Sequence, residues 1–372
     1  MFCRLECYLS QIGKPVFNGK YGNDSNTSQP PGCWMRDPKP VKPEDREKYW
    51  LTLMESTNLL QEFASKEAFR NKAPTVNYTL LHRFTGNAQT IYSGKFYYAG
   101  EGTNKVVILS LDTLDTAFVT LMPASSTSVS ISTSSLASHH HNLSRRPMTT
   151  TTTTGTRHVR SHHHGHHHRR RMAGGGGGEK DHSSSTSSSQ PATTTSRRLY
   201  RNQLNSIDIS VDENGVWLLY PNLYSDLNST IVMKLNGSQP EYVWNLTIDY
   251  HQLGEAFLLC GVLYGVESGR TERTHIAFAY DLYTNRELSG EIGGGGGEKV
   301  AFTNPFLGTV YIGYNPLYRY LYTWDNGNML EYPLKIDDTL RRPVAKSAAG
   351  AGGDGGGGGA AVSAAGDEEE KK

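Results

Sequence analysis

Ser206-Ile207-Asp208-Ile209-Ser210-Val211-Asp212-Glu213-Asn214-Gly215-Val216-Trp217-Leu218-Leu219-Tyr220 is the stretch on which the reading of this chain turns. Ile207, Ile209 and Val211 alternate with Asp208, Ser210 and Asp212. That period of two predicts a strand with one face buried. Asp212-Glu213-Asn214-Gly215 predicts a tight turn, with Asn-Gly taking positive φ at little cost. Val216 to Tyr220 is a nearly unbroken apolar run, the pattern of a strand covered on both faces. Asp208 stands mid-strand opposite the isoleucines, so its carboxylate must meet solvent, a partner or an ion. A solvated aspartate on an outer face is the plain reading.

The same grammar extends outward. From Asn77 onward, short β-like runs follow one another: Tyr78–Phe84, Ile91–Tyr98, Val106–Leu111 and Thr116–Leu121, with turn residues between them. Near the start, Ile12 to Phe17 predicts a short strand. Residues 43–70 predict an interrupted helix, with Pro43 in a first turn that needs no backbone donor. Many short strands with aromatic and glycine punctuation indicate an all-β sandwich, barrel or propeller. Periodicity does not choose among them.

Two regions break the pattern. Residues 123–198 carry Ser/Thr tracts, the histidine runs His139–His141, His162–His164 and His166–His168, then Arg169–Arg171 and Gly174–Gly178. Such a composition buries too little apolar surface to offset the entropy of ordering, which predicts a long disordered insert in a surface loop. Gly293–Gly297 is a smaller insert of the same kind, and residues 341–372 read as a disordered Ala/Gly/Glu tail. The histidine tracts offer Zn²⁺ or Cu²⁺ ligands, and a solvated repeat is the plainer account.

The chain has 372 residues and a net charge of +1, so charge gives no argument for a nucleic-acid partner. No apolar run reaches the ~20 residues of a membrane-spanning helix. Asn-x-Ser/Thr sequons at Asn23, Asn26, Asn77, Asn142, Asn228, Asn236 and Asn245 fit an extracellular glycoprotein. That compartment means a secreted chain or the ectodomain of a membrane-anchored one. Cys3, Cys7, Cys33 and Cys260 lack zinc-site spacing. Outside the cell they read as two long-range disulfides, or as one disulfide and two lesser thiols. No GxSxG, HExxH, P-loop or strand-following GxGxxG occurs, and His82, His251 and His275 stand isolated, so no catalytic residue is expected.

A set of ordered landmarks resembles the olfactomedin domain, nearest to its gliomedin-like, neuro-adhesive members. They are Gly19-Lys20-Tyr21-Gly22 with Trp34-Met35-Arg36-Asp37-Pro38, then Thr90 to Tyr98, Val211 to Trp217, Glu255 to Tyr264, Ala277 to Asp281, Tyr314-Asn315-Pro316 and Leu321 to Gly327. The resemblance implies a five-bladed β-propeller over residues 1–340, interrupted by the insert. It implies a Cys7–Cys260 disulfide, with Cys3 as an alternative partner; Cys33 stands where the family usually has an aliphatic residue, and a Cys3–Cys33 bond is the further pairing this chain's own cysteines allow. It also implies Ca²⁺ in the central channel. Asp208 is retained for that role and Ala256 and Ile312 offer carbonyls, but Glu255 stands where Asn is usual and Gly313 where a second Asp is usual. The site is therefore expected in degraded form. The implied function is binding to cell-surface receptors, adhesion-protein ectodomains or matrix proteins in neural or developmental signalling, with any homo-oligomer built by regions outside this chain. Two other classes compete with it: a glycosidase- or lyase-like propeller enzyme using Asp208 and Glu255, and a metal binder working through the histidine tracts.

Overall fold

The computed structural model describes residues 7–22, 29–121, 198–202, 204–223, 228–289, 292 and 299–337, and the backbone of 129–131. The expected tail at 341–372 and nearly all of the expected insert at 123–198 lie outside the described residues.

Five antiparallel sheets follow one another as the blades of a propeller. Blade I holds Gly32–Met35, Tyr49–Leu53, Leu59–Phe63 and Val76–Thr79. Blade II holds Thr90–Tyr92, Lys95–Ala99, Lys105–Ser110 and Thr116–Thr120. Blade III runs from Asp208–Asp212 outward through Gly215–Pro221 and Thr230–Asn236 to Gln239–Leu246. Val129–Ile131 pairs parallel on its outer edge. Blade IV holds Glu255–Leu259, Val262–Val266, Arg273–Asp281 and Arg286–Glu287, with Ala301–Thr303 beside the third strand. Blade V holds Thr309–Asn315, Tyr320–Asp325 and Asn328–Asp337. Tyr8–Ile12 and Val16–Lys20, from the start of the chain, pair with Asn328–Asp337 and close the ring.

The first strand of each blade faces the axis. Asp208–Asp212 lies against Thr90–Tyr92, Glu255–Leu259 and Thr309–Asn315, and the last of these meets Gly32–Met35. The apolar cores sit between neighbouring blades. Trp34 of blade I packs 4.4 Å from Tyr322 of blade V and 5.6 Å from Phe69, and its indole N–H donates to the Thr323 carbonyl. Between blades III and IV, Trp217 meets Trp244 at 5.6 Å and Tyr283 edge-on. Cys7 and Cys260 are disulfide-bonded, with Cα atoms 5.8 Å apart across 253 residues of sequence.

The hairpin at 212–215 locks blade III to its neighbours. The buried Asp212 carboxylate accepts from the Asn214 amide (2.7 Å), the Trp217 indole N–H (2.7 Å) and the Gly261 amide (2.6 Å). Glu213 accepts from the Cys260 amide (2.8 Å) and the Tyr314 hydroxyl (2.6 Å). Blades III, IV and V thus meet at two adjacent carboxylates.

The local expectations need four corrections. Residues 43–70 form a 3₁₀ turn (Pro43–Glu47), two strands of blade I and only a five-residue helix, Lys66–Arg70. The run Tyr49-Trp50-Leu51-Thr52-Leu53 is buried throughout, and aromatic and aliphatic side chains covered on both faces favour a strand over the helix. Residues 12–17 are not one strand: strands flank a link at 13–15. The strand Asp208–Asp212 is buried at every position rather than on one face, because it is the innermost strand of its blade. Positive φ falls on Gly215 (+122°) and not on Asn214.

Asp212→Ala leaves the Trp217 and Gly261 N–H groups buried without an acceptor. The expected loss is about 3 kcal/mol of unfolding free energy, read by denaturant titration. Asp212→Asn, which keeps one carbonyl acceptor, is expected to lose less.

Candidate functional site

The channel end of blade III carries the site. Residues 199–202 and 204–205, between the insert and Asp208–Asp212, pack into the ring. Leu199 and Tyr200 are buried, the Leu199 amide donates to the Asn205 carbonyl, and the Arg201 amide donates to Leu253 of the adjoining segment. Tyr200, at φ +60°, donates its hydroxyl to Asp208, and Asn202 donates its carboxamide N–H to Glu255. Asp208 and Glu255 are 4% and 2% exposed. Asp208 is therefore not the solvated outer-face aspartate of the plain reading, since the face opposite the isoleucines looks into the channel.

Two buried carboxyl groups this close are costly as anions. Burial pushes Asp208 up to about 7, against the hydrogen bonds from Tyr200 and the Ile209 amide that favour its charge. Burial, and then the neighbouring Asp208 charge, push Glu255 well above the ordinary range. Among the described residues no Lys, Arg or His pairs with either group. Such a pair is neutralised by a proton or by a cation.

Ala256 and Ile312 lie on the innermost strands of blades IV and V, as the resemblance requires. Gly313 follows Ile312, and its missing side chain has a structural counterpart. A Cβ built there would lie 2.1 Å from the Tyr311 hydroxyl, so the phenol occupies the space a carboxylate would need. Tyr311 is buried and hydrogen-bonds the Cys33 thiol, which also donates to the Gln89 carbonyl. Burial pushes that thiol up to about 12, so Cys33 is a buried, unreactive group and free. The expected Cys3–Cys33 bond is thereby excluded on the Cys33 side, and Cys3 lies outside the described residues. The donor set, two uncompensated carboxylates and adjoining backbone, suits a hard cation in kind; the resemblance also implies two carboxylates, but here one stands at 255 in place of the one at 313.

A profile of the olfactomedin-like domain matches residues 3–142 and 179–339. The chain belongs to the olfactomedin-like domain family. Rat myocilin is 24% identical over 89% of this chain and 51% of its own length, and rabbit myocilin is 25% identical over 88% and 52%. The chain thus spans about half the length of the curated relatives it matches. Among solved structures, a gluconolactonase from Xanthomonas campestris aligns over 89% of this chain and 96% of that one, at 9% identity and a TM-score of 0.36. A likeness that low carries no argument.

The other site residues of this olfactomedin-like domain are dispersed. Asn77 and Asn228 are exposed, and Asn236 is exposed beside the hairpin turn of blade III. Asn245 is half-buried on that blade's outermost strand, where its Oδ1 accepts from Asn222. Asn23, Asn26, Asn142 and the histidine tracts lie outside the described residues. Sequence reasoning missed Tyr200, Asn202, Tyr311 and Cys33 as channel groups. Only Leu199-Tyr200, an apolar pair ending the polar insert, carried a readable signal.

The folded state holds protons on Asp208 and Glu255 more tightly than the unfolded chain does. Their contribution is full below the ordinary carboxyl value and is lost as pH rises through the folded value, about 7 for Asp208. In chelator, thermal stability is expected to fall as pH climbs across that window. Asp208→Asn with Glu255→Gln should flatten the decline, and an unchanged slope in the double variant would remove these groups as its cause.

Proposed function

We propose that this olfactomedin-like domain is an extracellular protein–protein interaction module. It binds cell-surface receptors, adhesion-protein ectodomains or matrix proteins, in neural or developmental signalling. The observation that carries the reading is the domain itself, a closed ring whose first and last segments share a sheet, whose start is tied to blade IV by the Cys7–Cys260 disulfide, and whose loops are left as the variable surface. The disulfide and the exposed sequons Asn77, Asn228 and Asn236 favour an oxidising, glycosylating compartment. Leu81, in the link from blade I to blade II, is 85% exposed and Phe118, on the outermost strand of blade II, 43%, and the His82 ring packs edge-on against Phe118. Apolar exposure of this kind marks contact surfaces.

Catalysis is the weaker reading. Asp208 and Glu255 have the raised protonation an acid–base pair needs, but both are sealed in the channel and neither lines the cleft on the ring's open face. We further propose that Ca²⁺, when bound, is held by Asp208, Glu255 and the carbonyls of Ala256 and Ile312, and acts as a structural ion that neutralises the buried pair.

The full chain, with and without chelator, is to be screened against cell-surface ectodomains and matrix proteins. Saturable binding that weakens in Leu81→Asp or Phe118→Asp, and survives deletion of residues 139–171, is expected. Binding that disappears with the deletion would transfer the role to the histidine tracts. For the ion, Gly313→Asp combined with Tyr311→Leu restores a carboxylate and removes the phenol, whose Oη and Cζ would otherwise lie 2.1 and 2.8 Å from the new Cβ. Calorimetry is expected to show roughly tenfold tighter Ca²⁺ binding, and no gain would place the ion elsewhere.

A further inference from the structure

One cleft on the propeller matches nothing in the function above. It lies on the face where the innermost strands begin and measures about 370 Å³, within the range of small-ligand pockets, roughly 300–1,000 Å³. Blades I, IV and V bound it, together with Asn202 and Leu204 from the segment before blade III. Gln29, Asn202 and Asn326 bring three carboxamides to its walls, Arg270 brings a guanidinium, and Trp324 with Val310 gives it an apolar part. No carboxylate is among its lining residues.

The lining is unbalanced toward donors. Arg270 is exposed and makes no ion pair among the described residues. Trp324 is wholly buried, yet its indole N–H has no hydrogen-bond partner. A buried donor without an acceptor is disfavoured unless something supplies one. Asn202 is braced from behind, since its N–H donates to Glu255 and its Oδ1 accepts the Leu204 amide at 3.0 Å. On the opposite side the Asn326 Oδ1 accepts the Gln29 amide at 3.4 Å, and the Asn326 amide donates to Gly308. The walls are therefore formed before any ligand arrives.

We infer that this cleft binds a carboxylate-bearing peptide segment, with the carboxylate on Arg270 and the peptide backbone between the carboxamide walls. An unpaired guanidinium over a site without acids selects an anionic acceptor, and the planar guanidinium fork suits a carboxylate. Carboxamides offer both a donor and an acceptor, which is what a peptide backbone needs. A sugar would instead look for an exposed aromatic face, and Trp324 shows none. The inference is separate from the partner-binding function above. That function concerns which protein is bound, whereas this cleft is read on a short peptide and stands or falls without it.

The test titrates the full chain with acetyl-Glu-Glu-Glu-amide, following tryptophan fluorescence and calorimetry. Acetyl-Gln-Gln-Gln-amide is the neutral comparator and sialyllactose the carbohydrate carboxylate. Arg270→Ala, at an exposed position, is checked for an unchanged melting temperature, and Val310→Phe fills the cleft from a second side. Saturable binding of the acidic peptide is expected, weakened by about tenfold or more in Arg270→Ala, in Val310→Phe and for the glutamine peptide, and reduced by salt. No saturable binding, equal binding of both peptides, binding by either variant as tight as by the unaltered chain, or tighter binding of sialyllactose would each overturn the peptide-carboxylate assignment.

Discussion

Two adjacent carboxylates, Asp212 and Glu213, gather donors from three blades, and the ring's geometry depends on that meeting. The Asp212 carboxylate holds its own hairpin through Asn214 and Trp217 and reaches blade IV through Gly261. Glu213 holds blade IV at Cys260 and blade V at Tyr314. Charge-assisted bonds are stronger than neutral ones, and these donors offset the cost of burying Asp212, whose carboxyl is nonetheless pushed up to about 6 by burial. Fixing the Cys260 amide also fixes the sulfur beside it. Cys7 Sγ, Cys260 Sγ and a Glu213 oxygen lie within 4.8 Å of one another, so the covalent clasp forms where the electrostatic one already holds the backbone.

Closure is therefore achieved twice. The N-terminal strands complete the sheet of blade V, and the disulfide ties the residue before them to blade IV. A bond closing so long a loop contributes about 2–5 kcal/mol, largely by restricting the unfolded chain. Leu9 adds a second link to blade IV, its amide donating to the Tyr264 hydroxyl at 3.1 Å. Between these ties the blades pack by large side chains, Trp34 against Tyr322 and Trp217 against Tyr283, so each interface fixes the tilt of the next sheet.

The ring of five blades brings buried polar residues together at its axis. The strand Asp208–Asp212 is buried on both faces, so every polar group on it must find a partner within the protein. Tyr200 serves Asp208 and Asn202 serves Glu255, both from the segment that follows the insert. Tyr311 fills the volume left by Gly313 and bonds Cys33. The channel thus holds a phenol and an inert thiol beside Gly313, together with two acids, Asp208 and Glu255. Asn202 also forms a wall of the cleft on the open face, so that surface rests on the buried pair beneath it.

Short alternating runs, the VDENG turn and the ordered landmarks carried the all-β class, and the landmarks carried the family, because strand period and turn chemistry are local properties. The expected helix over 43–70 failed for the converse reason: Tyr49–Leu53 is made a strand by the partners on its two sides, and no local pattern contains them. Asp208 shows the same division. Its position on a strand was legible, but whether its carboxylate met water or the channel depended on which strand of the blade stood nearest the axis. Tyr200, Tyr311 and the cleft around Arg270 were likewise invisible, since residues from blades I, IV and V become neighbours only when the ring closes. The chain's order dictated its strands and turns, and ring closure decided which polar groups were left without water and had to answer to one another.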